Sequence, residues 1–135
     1  MKRKTVLIAD DHEEWREMIA SLLEPGFEIA GYAERGDEVC ARARELTPDL
    51  VILAASMQGI SGFTVLTELR SLLRNACIVM VTLTTGTMYE RVAYQRGADG
   101  WVAKWDVFAE LVPVVEYGLA QAAARQLQVV GEGVV

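Results

Sequence analysis

Three polar positions in this 135-residue sequence stand each just past a short, apolar, β-branched run. The acidic pair Asp10 and Asp11 follows residues 5–9, Thr82 follows residues 77–81, and Lys104 follows residues 100–103. A further apolar run, residues 49–53, closes on Ala54 instead. Two adjacent carboxylates make a hard-oxygen site suited to Mg²⁺. A hydroxyl and an ammonium opposite them suit the oxygens of a phosphoryl group. An alanine methyl has no lone pair and attacks nothing. The pattern is that of a phosphoryl-transfer site that has lost its nucleophile. Taken singly these residues are ordinary. Paired aspartates before a helix commonly cap it and favour its dipole, threonine ends many strands, and a lone lysine is usually solvated. Their coincidence at the ends of successive strands carries the functional reading, because ligands of open α/β sheets bind at that edge.

The elements that must position them follow from periodicity. Strands are predicted over residues 5–9, 27–33, 49–53, 77–81 and 100–103. Between and after them, helices are predicted over 12–24, 37–46, 63–73, 87–96 and from a cap at Asp106 to about Gln126. Trp15, Met18, Ile19, Leu22 and Leu23 share one face of the first helix, Pro25-Gly26 ends it, and Thr47-Pro48 stops the second. Strict βα alternation predicts a parallel sheet covered on both faces, with right-handed crossovers. The body is expected to span residues 1–126, with residues 127–135 as a tail or the start of a linker.

Composition narrows the class. A formal charge of −6 argues against a nucleic-acid module, and Lys2-Arg3-Lys4 reads as a solvated end. No apolar stretch is expected to approach the roughly 20 residues of a membrane span, and no signal-peptide pattern opens the chain. Cys40 and Cys77 match neither a metal spacing nor a redox pair, so both are expected reduced, as in a cytoplasmic protein.

The segments VLIADDHEEWREMIASLLE, PDLVILAASMQGISGFTVLTELR, VMVT and RGADGWVAK together resemble a response regulator receiver domain of two-component signalling, over about residues 4–120. The wording DDH and GADGW is similar to receivers that precede LuxR-type DNA-binding domains. The resemblance implies a doubly wound, flavodoxin-like (βα)5 sheet of order 2-1-3-4-5. It places Mg²⁺ on Asp10 and Asp11, with the carbonyl of Ser56 facing the metal, and phosphoryl contacts on Thr82 and Lys104. The family's aromatic switch falls on Trp101, and its phospho-accepting aspartate falls on Ala54. The family's loop proline is Gln58 here. Two departures so close together point to natural degeneration rather than one engineered substitution. With the third carboxylate gone, Mg²⁺ binding is expected to be weak, and the pocket is expected to hold without metal through a lysine–carboxylate contact.

Asp49 is no substitute nucleophile, since five residues of strand separate it from Ala54 by about 17 Å at about 3.3 Å per residue. Ser56 has no adjacent base. The expected function is a phosphorylation-independent interaction module whose partner is a histidine kinase or downstream effector, without enzymatic activity. The rivals are an ordinary phospho-switch receiver carrying an engineered Ala54, and a small flavodoxin-like nucleotide binder. The second would need a phosphate-binding loop after the first strand, where this chain offers Asp-Asp-His-Glu-Glu. Trp105 is the candidate for exposure at a partner surface, whereas Trp101 and Val92 read mainly as packing. Pro113 is expected to kink the last helix. Beyond it Leu119, Ala122, Ala123 and Leu127 continue an apolar stripe that suggests a homodimer through the fourth and fifth helices.

Overall fold

A computed structural model describes residues 2–84 and 86–134, the stretch 129–134 by backbone alone. Five strands alternate with five helices: β1 Thr5–Ala9, α1 Glu13–Leu23, β2 Glu28–Ala33, α2 Gly36–Leu46, β3 Leu50–Ala54, α3 Gly62–Leu72, β4 Cys77–Thr82, α4 Thr87–Gln95, β5 Gly100–Ala103 and α5 Val107–Val134. The sheet is wholly parallel with order β2-β1-β3-β4-β5, as the resemblance implies. α1 packs with α5 and α2 with α3, so helices cover both faces. This explains why the central strands carry no polar alternation: every residue of β3 and β4 is buried, as strands covered on both sides must be.

Chain direction sets the two edges. Asp49 accepts the Thr5 backbone N–H at 2.8 Å, which fixes it at the N-terminal edge with the start of β1. Ala54 ends β3 at the opposite edge, paired with Val81 of β4. The loop after β3 is packed by close backbone approach. A Cβ on Gly62 would overlap the Ala54 carbonyl oxygen, and one on Gly36 would overlap the carbonyl of Ile60. Ser61 caps α3 by accepting the Thr64 N–H.

The last helix departs from expectation in length. It continues to Val134 instead of ending near Gln126, and it passes through Pro113 as one element. By length and composition alone Lys104–Gln128 would also cross a bilayer, at a mean hydropathy of 1.2, which the sequence reading passed over. In the fold one face of it packs on the core: Val107, Leu111, Val115, Gly118 and Ala122 turn onto the sheet. Leu119 is half-buried against the core and Ala122 is buried, so the stripe foreseen for a dimer partly belongs to the body. Leu127 and Tyr117 are exposed.

At the N-terminal edge Asp99 anchors this helix. Its carboxylate is 2.6 Å from Arg70 of α3 and 2.6 Å from Arg125 of α5, and it accepts the Ile78 N–H at 2.9 Å. Arg70 also donates to the carbonyls of Leu73, Ala76 and Gly97. Cys77 lies buried beside Asp99, and burial, then the Asp99 charge, pushes its thiol up to about 12, partly opposed by Arg70 and Arg125.

Candidate functional site

The residues singled out in the sequence gather at the C-terminal edge of the sheet. β1 ends at Ala9 and delivers Asp10, fully buried, and Asp11, half-buried. β4 ends on Thr82 and β5 feeds a 3-10 turn, Lys104–Asp106, that begins with a buried Lys104. Asp11, His12, Ser56, Thr82, Thr84 and Lys104 help to line a hollow of about 220 Å³. Ala54 is buried at the end of β3. A larger groove of about 450 Å³ lies at the opposite edge, between α5 and the loops before β3 and β4, away from these residues.

The lysine is folded inward. Its Nζ is 2.6 Å from Asp10 Oδ2 and 4.9 Å from the centre of the Trp15 ring, so the ammonium gains a carboxylate and an aromatic face together. Asp10 Oδ1 accepts the His12 backbone N–H at 2.9 Å. Asp11 Oδ2 accepts the backbone N–H of Gln58 at 3.2 Å, and Asp11 Oδ1 lies 2.9 Å from His12 Nδ1. Asp10 Oδ2 and Asp11 Oδ1 take no directed hydrogen bond; the first is met by the Lys104 ammonium and the second by the His12 ring nitrogen. Thr82 is buried with its Oγ1 accepting the Thr84 N–H at 2.9 Å, and Ser56 is exposed at the mouth.

Ligand atoms of Asp10, Asp11 and His12 lie within 4.8 Å of one another, the described group closest to a metal-binding set. The donors are hard oxygens with one imidazole, but as arranged they do not fit a tightly held divalent cation. Only Asp11 Oδ1 lacks both a directed hydrogen bond and the lysine, while Lys104 occupies Asp10 Oδ2 and the Gln58 N–H occupies Asp11 Oδ2.

Sequence reasoning missed three participants. Trp15 had been read only as a core position of α1, yet its ring faces the Lys104 ammonium. His12 and the Gln58 N–H were unassigned, although the triplet Asp10-Asp11-His12 carried a legible signal in its ligand types. Trp101 is half-buried, its ring tilted against Phe63 at 5.9 Å, and Phe63 in turn meets Tyr89 at 6.0 Å. Trp105 is 54% exposed. Leu83, Met88, Tyr89 and Phe108 are also exposed on the loop after β4, on α4 and at the start of α5.

The family model of the response regulator receiver domain matches residues 6–116. A putative transcriptional regulator of Pseudomonas aeruginosa is 34% identical over 116 residues, which cover 85% of this chain and 56% of that protein. The chemotaxis protein CheY of Halobacterium salinarum is 35% identical over 101 residues, covering 75% of this chain and 84% of CheY. The chain spans about half the length of several curated relatives it matches, the response regulator GacA of Pseudomonas viridiflava at 52% among them. Among solved structures, a LuxR-family two-component response regulator from Aurantimonas superposes with a TM-score of 0.83 at 30% identity, covering 89% of this chain and 87% of that one.

Proposed function

This chain belongs to the response regulator receiver domain family, and from that premise we propose that it is a degenerate member, a phosphorylation-independent interaction module of two-component signalling in the cytoplasm. Receiver domains are generally signalling modules rather than enzymes, and we assign no catalytic residue here. One observation supports the reading: β3 ends at the functional edge on the buried Ala54, where the resemblance implies the phospho-accepting aspartate. A phosphoryl transfer there has no lone pair to start from. The neighbouring hydroxyls are poor replacements, since Thr82 accepts the Thr84 N–H and the exposed Ser56 has no hydrogen-bonded base among the described residues.

On this reading Thr82 and Lys104 are remnants of a phosphoryl-binding set, and Asp10, Asp11 and Ser56 of a vestigial Mg²⁺ site that binds weakly. Lys104 spends its charge on Asp10, which supports a pocket fixed in one state. A histidine kinase or downstream effector would then read the exposed apolar residues around Trp105, including Met88 and Phe108. A second copy of the chain is proposed to use α4 and the exposed side of α5.

The test is incubation with acetyl phosphate or phosphoramidate and Mg²⁺, read by intact mass. No base-labile phosphoryl adduct is expected, and a stoichiometric one would refute the proposal. The retained Asp10, Asp11, Thr82 and Lys104 favour one second reading, an ordinary phospho-switch whose aspartate was replaced by Ala54. Rapid phosphate uptake by Ala54→Asp would support that reading.

A further inference from the structure

We propose that this chain neutralises its acidic pair from within, the backbone N–H of Gln58 and the ammonium of Lys104 standing in for a divalent cation. The inference rests on the reading above, that the pocket no longer works as a phosphoryl switch, and says how its charge is managed instead. A buried carboxylate is tolerated only when it is paired and hydrogen-bonded. Asp10 is fully buried and is matched by Lys104 on one oxygen and the His12 N–H on the other. Asp11 depends on the Gln58 N–H for its single directed hydrogen bond, with His12 Nδ1 against its second oxygen.

Gln58 is therefore the chain's own contribution to the pocket, through its backbone rather than its exposed side chain. Every residue but proline has the N–H that Asp11 uses, so a proline at this position would leave Asp11 without that bond. The same residue is held from the other side: its carbonyl accepts the Gly36 N–H at 2.9 Å, and Gln58 bridges to Arg35 in parallel register. Gln58 thus straps the loop after β3 to the loops after β1 and β2 at once. Ala54 and Gln58 act together. The first adds no charge to the cluster, and the second fixes a donor onto Asp11, the acid that Lys104 does not pair. The loops around the pocket then keep their arrangement whether or not a cation is present.

Titration calorimetry of the full chain with Mn²⁺ in metal-free buffer tests this on wild type, Gln58→Ala and Gln58→Pro. Gln58→Ala keeps the N–H and is expected to match the wild type. Gln58→Pro deletes it and is expected to bind Mn²⁺ about tenfold more tightly, the factor that corresponds to about 1.4 kcal/mol. Equal affinities for all three, or a Gln58→Ala as tight as Gln58→Pro, would overturn the inference. If Gln58→Pro does not fold, amide hydrogen exchange in chelator decides. The Gln58 amide should be protected in the wild type and lose that protection in Asp11→Ala, and an unprotected wild-type amide would sink the idea. Phosphate uptake by the wild type would refute the proposed function however the titrations fall. Equal affinities without uptake would refute this inference alone.

Discussion

Replacing Ala54 with aspartate adds a third acid to a pocket whose present charges are already matched. Ala9 pairs with Leu53 in register, so the next residues, Asp10 and Ala54, stand level at the ends of neighbouring strands. Neighbouring strands lie about 4.8 Å apart, and level residues point to the same face. At an effective dielectric of about 20, two unit charges about 5 Å apart repel by about 3 kcal/mol. Lys104, 2.6 Å from Asp10, attracts the new acid as well and offsets part of that repulsion. The expected net loss in chelator is about 1–3 kcal/mol, or a Tm about 4–10 °C lower for a domain of this size. Saturating Mg²⁺ should reverse it, since a ligand at 100 times its Kd stabilises by about 2.7 kcal/mol. Repulsion raises the new carboxyl's pKa in the folded state. The penalty therefore grows as pH rises above the unfolded value of about 3.9 and fades below it. Thermal melts followed by circular dichroism in EDTA and in Mg²⁺ measure all of this, with Ala54→Asn as the neutral control of nearly equal size. An Ala54→Asp chain that melts at or above the wild type in EDTA would refute the reasoning. So would an Ala54→Asn chain that falls as far.

Lys104→Met leaves the buried Asp10 without its cation and should cost about 3–5 kcal/mol in urea denaturation, much of it recovered when Asp10→Asn is added; a loss below about 1 kcal/mol would show that the pair does not carry the neutralisation. Cys77, its thiol raised to about 12 chiefly by burial, should resist iodoacetamide until the chain unfolds, while the half-buried Cys40 reacts first. The unfolded chain releases the Cys77 proton near pH 9 and the folded chain retains it, so stability is full below that value and declines as pH climbs toward 12. Cys77→Ala should make that decline shallower in a pH series of urea melts. For self-association, Tyr117→Glu with Leu127→Glu, both on the exposed side of α5, should convert a wild-type dimer to a monomer in sedimentation velocity, and a wild type that sediments as a monomer at high micromolar concentration would remove the dimer from the proposal.

The sheet was legible because burial on both faces leaves its mark in composition: Leu50–Ala54 and Cys77–Thr82 are unbroken or nearly unbroken apolar runs, and their polar neighbours announce the functional edge. The gathering of Asp10, Thr82 and Lys104 followed from strand ends alone. What the residues did not reveal lies in backbone donors and distant pairs. The Gln58 N–H leaves no trace in a side-chain alphabet, except as the absence of a proline. Arg125 and Asp99 are 26 residues apart, and nothing local in either segment names the other. The end of α5 lies beyond the expected Gln126, since the helix runs on to Val134 through Gly131 and Gly133, residues of low helix propensity.

The Asp99 clamp helps to key α5 to the body like a shaft. Arg125 is bound on the sheet side while the helix continues to Val134, so this ion pair joins the buried face from Val107 to Ala122 in setting the azimuth of the residues after it. Each residue of helix turns about 100°, because a turn holds about 3.6 residues. One residue inserted after Arg125 would swing the remainder through more than a quarter of a circle, whereas seven would return it to within about 20°. Whatever docks along the outer side of this helix meets a surface whose rotational phase is indexed to Asp99, at the opposite edge of the sheet from Ala54.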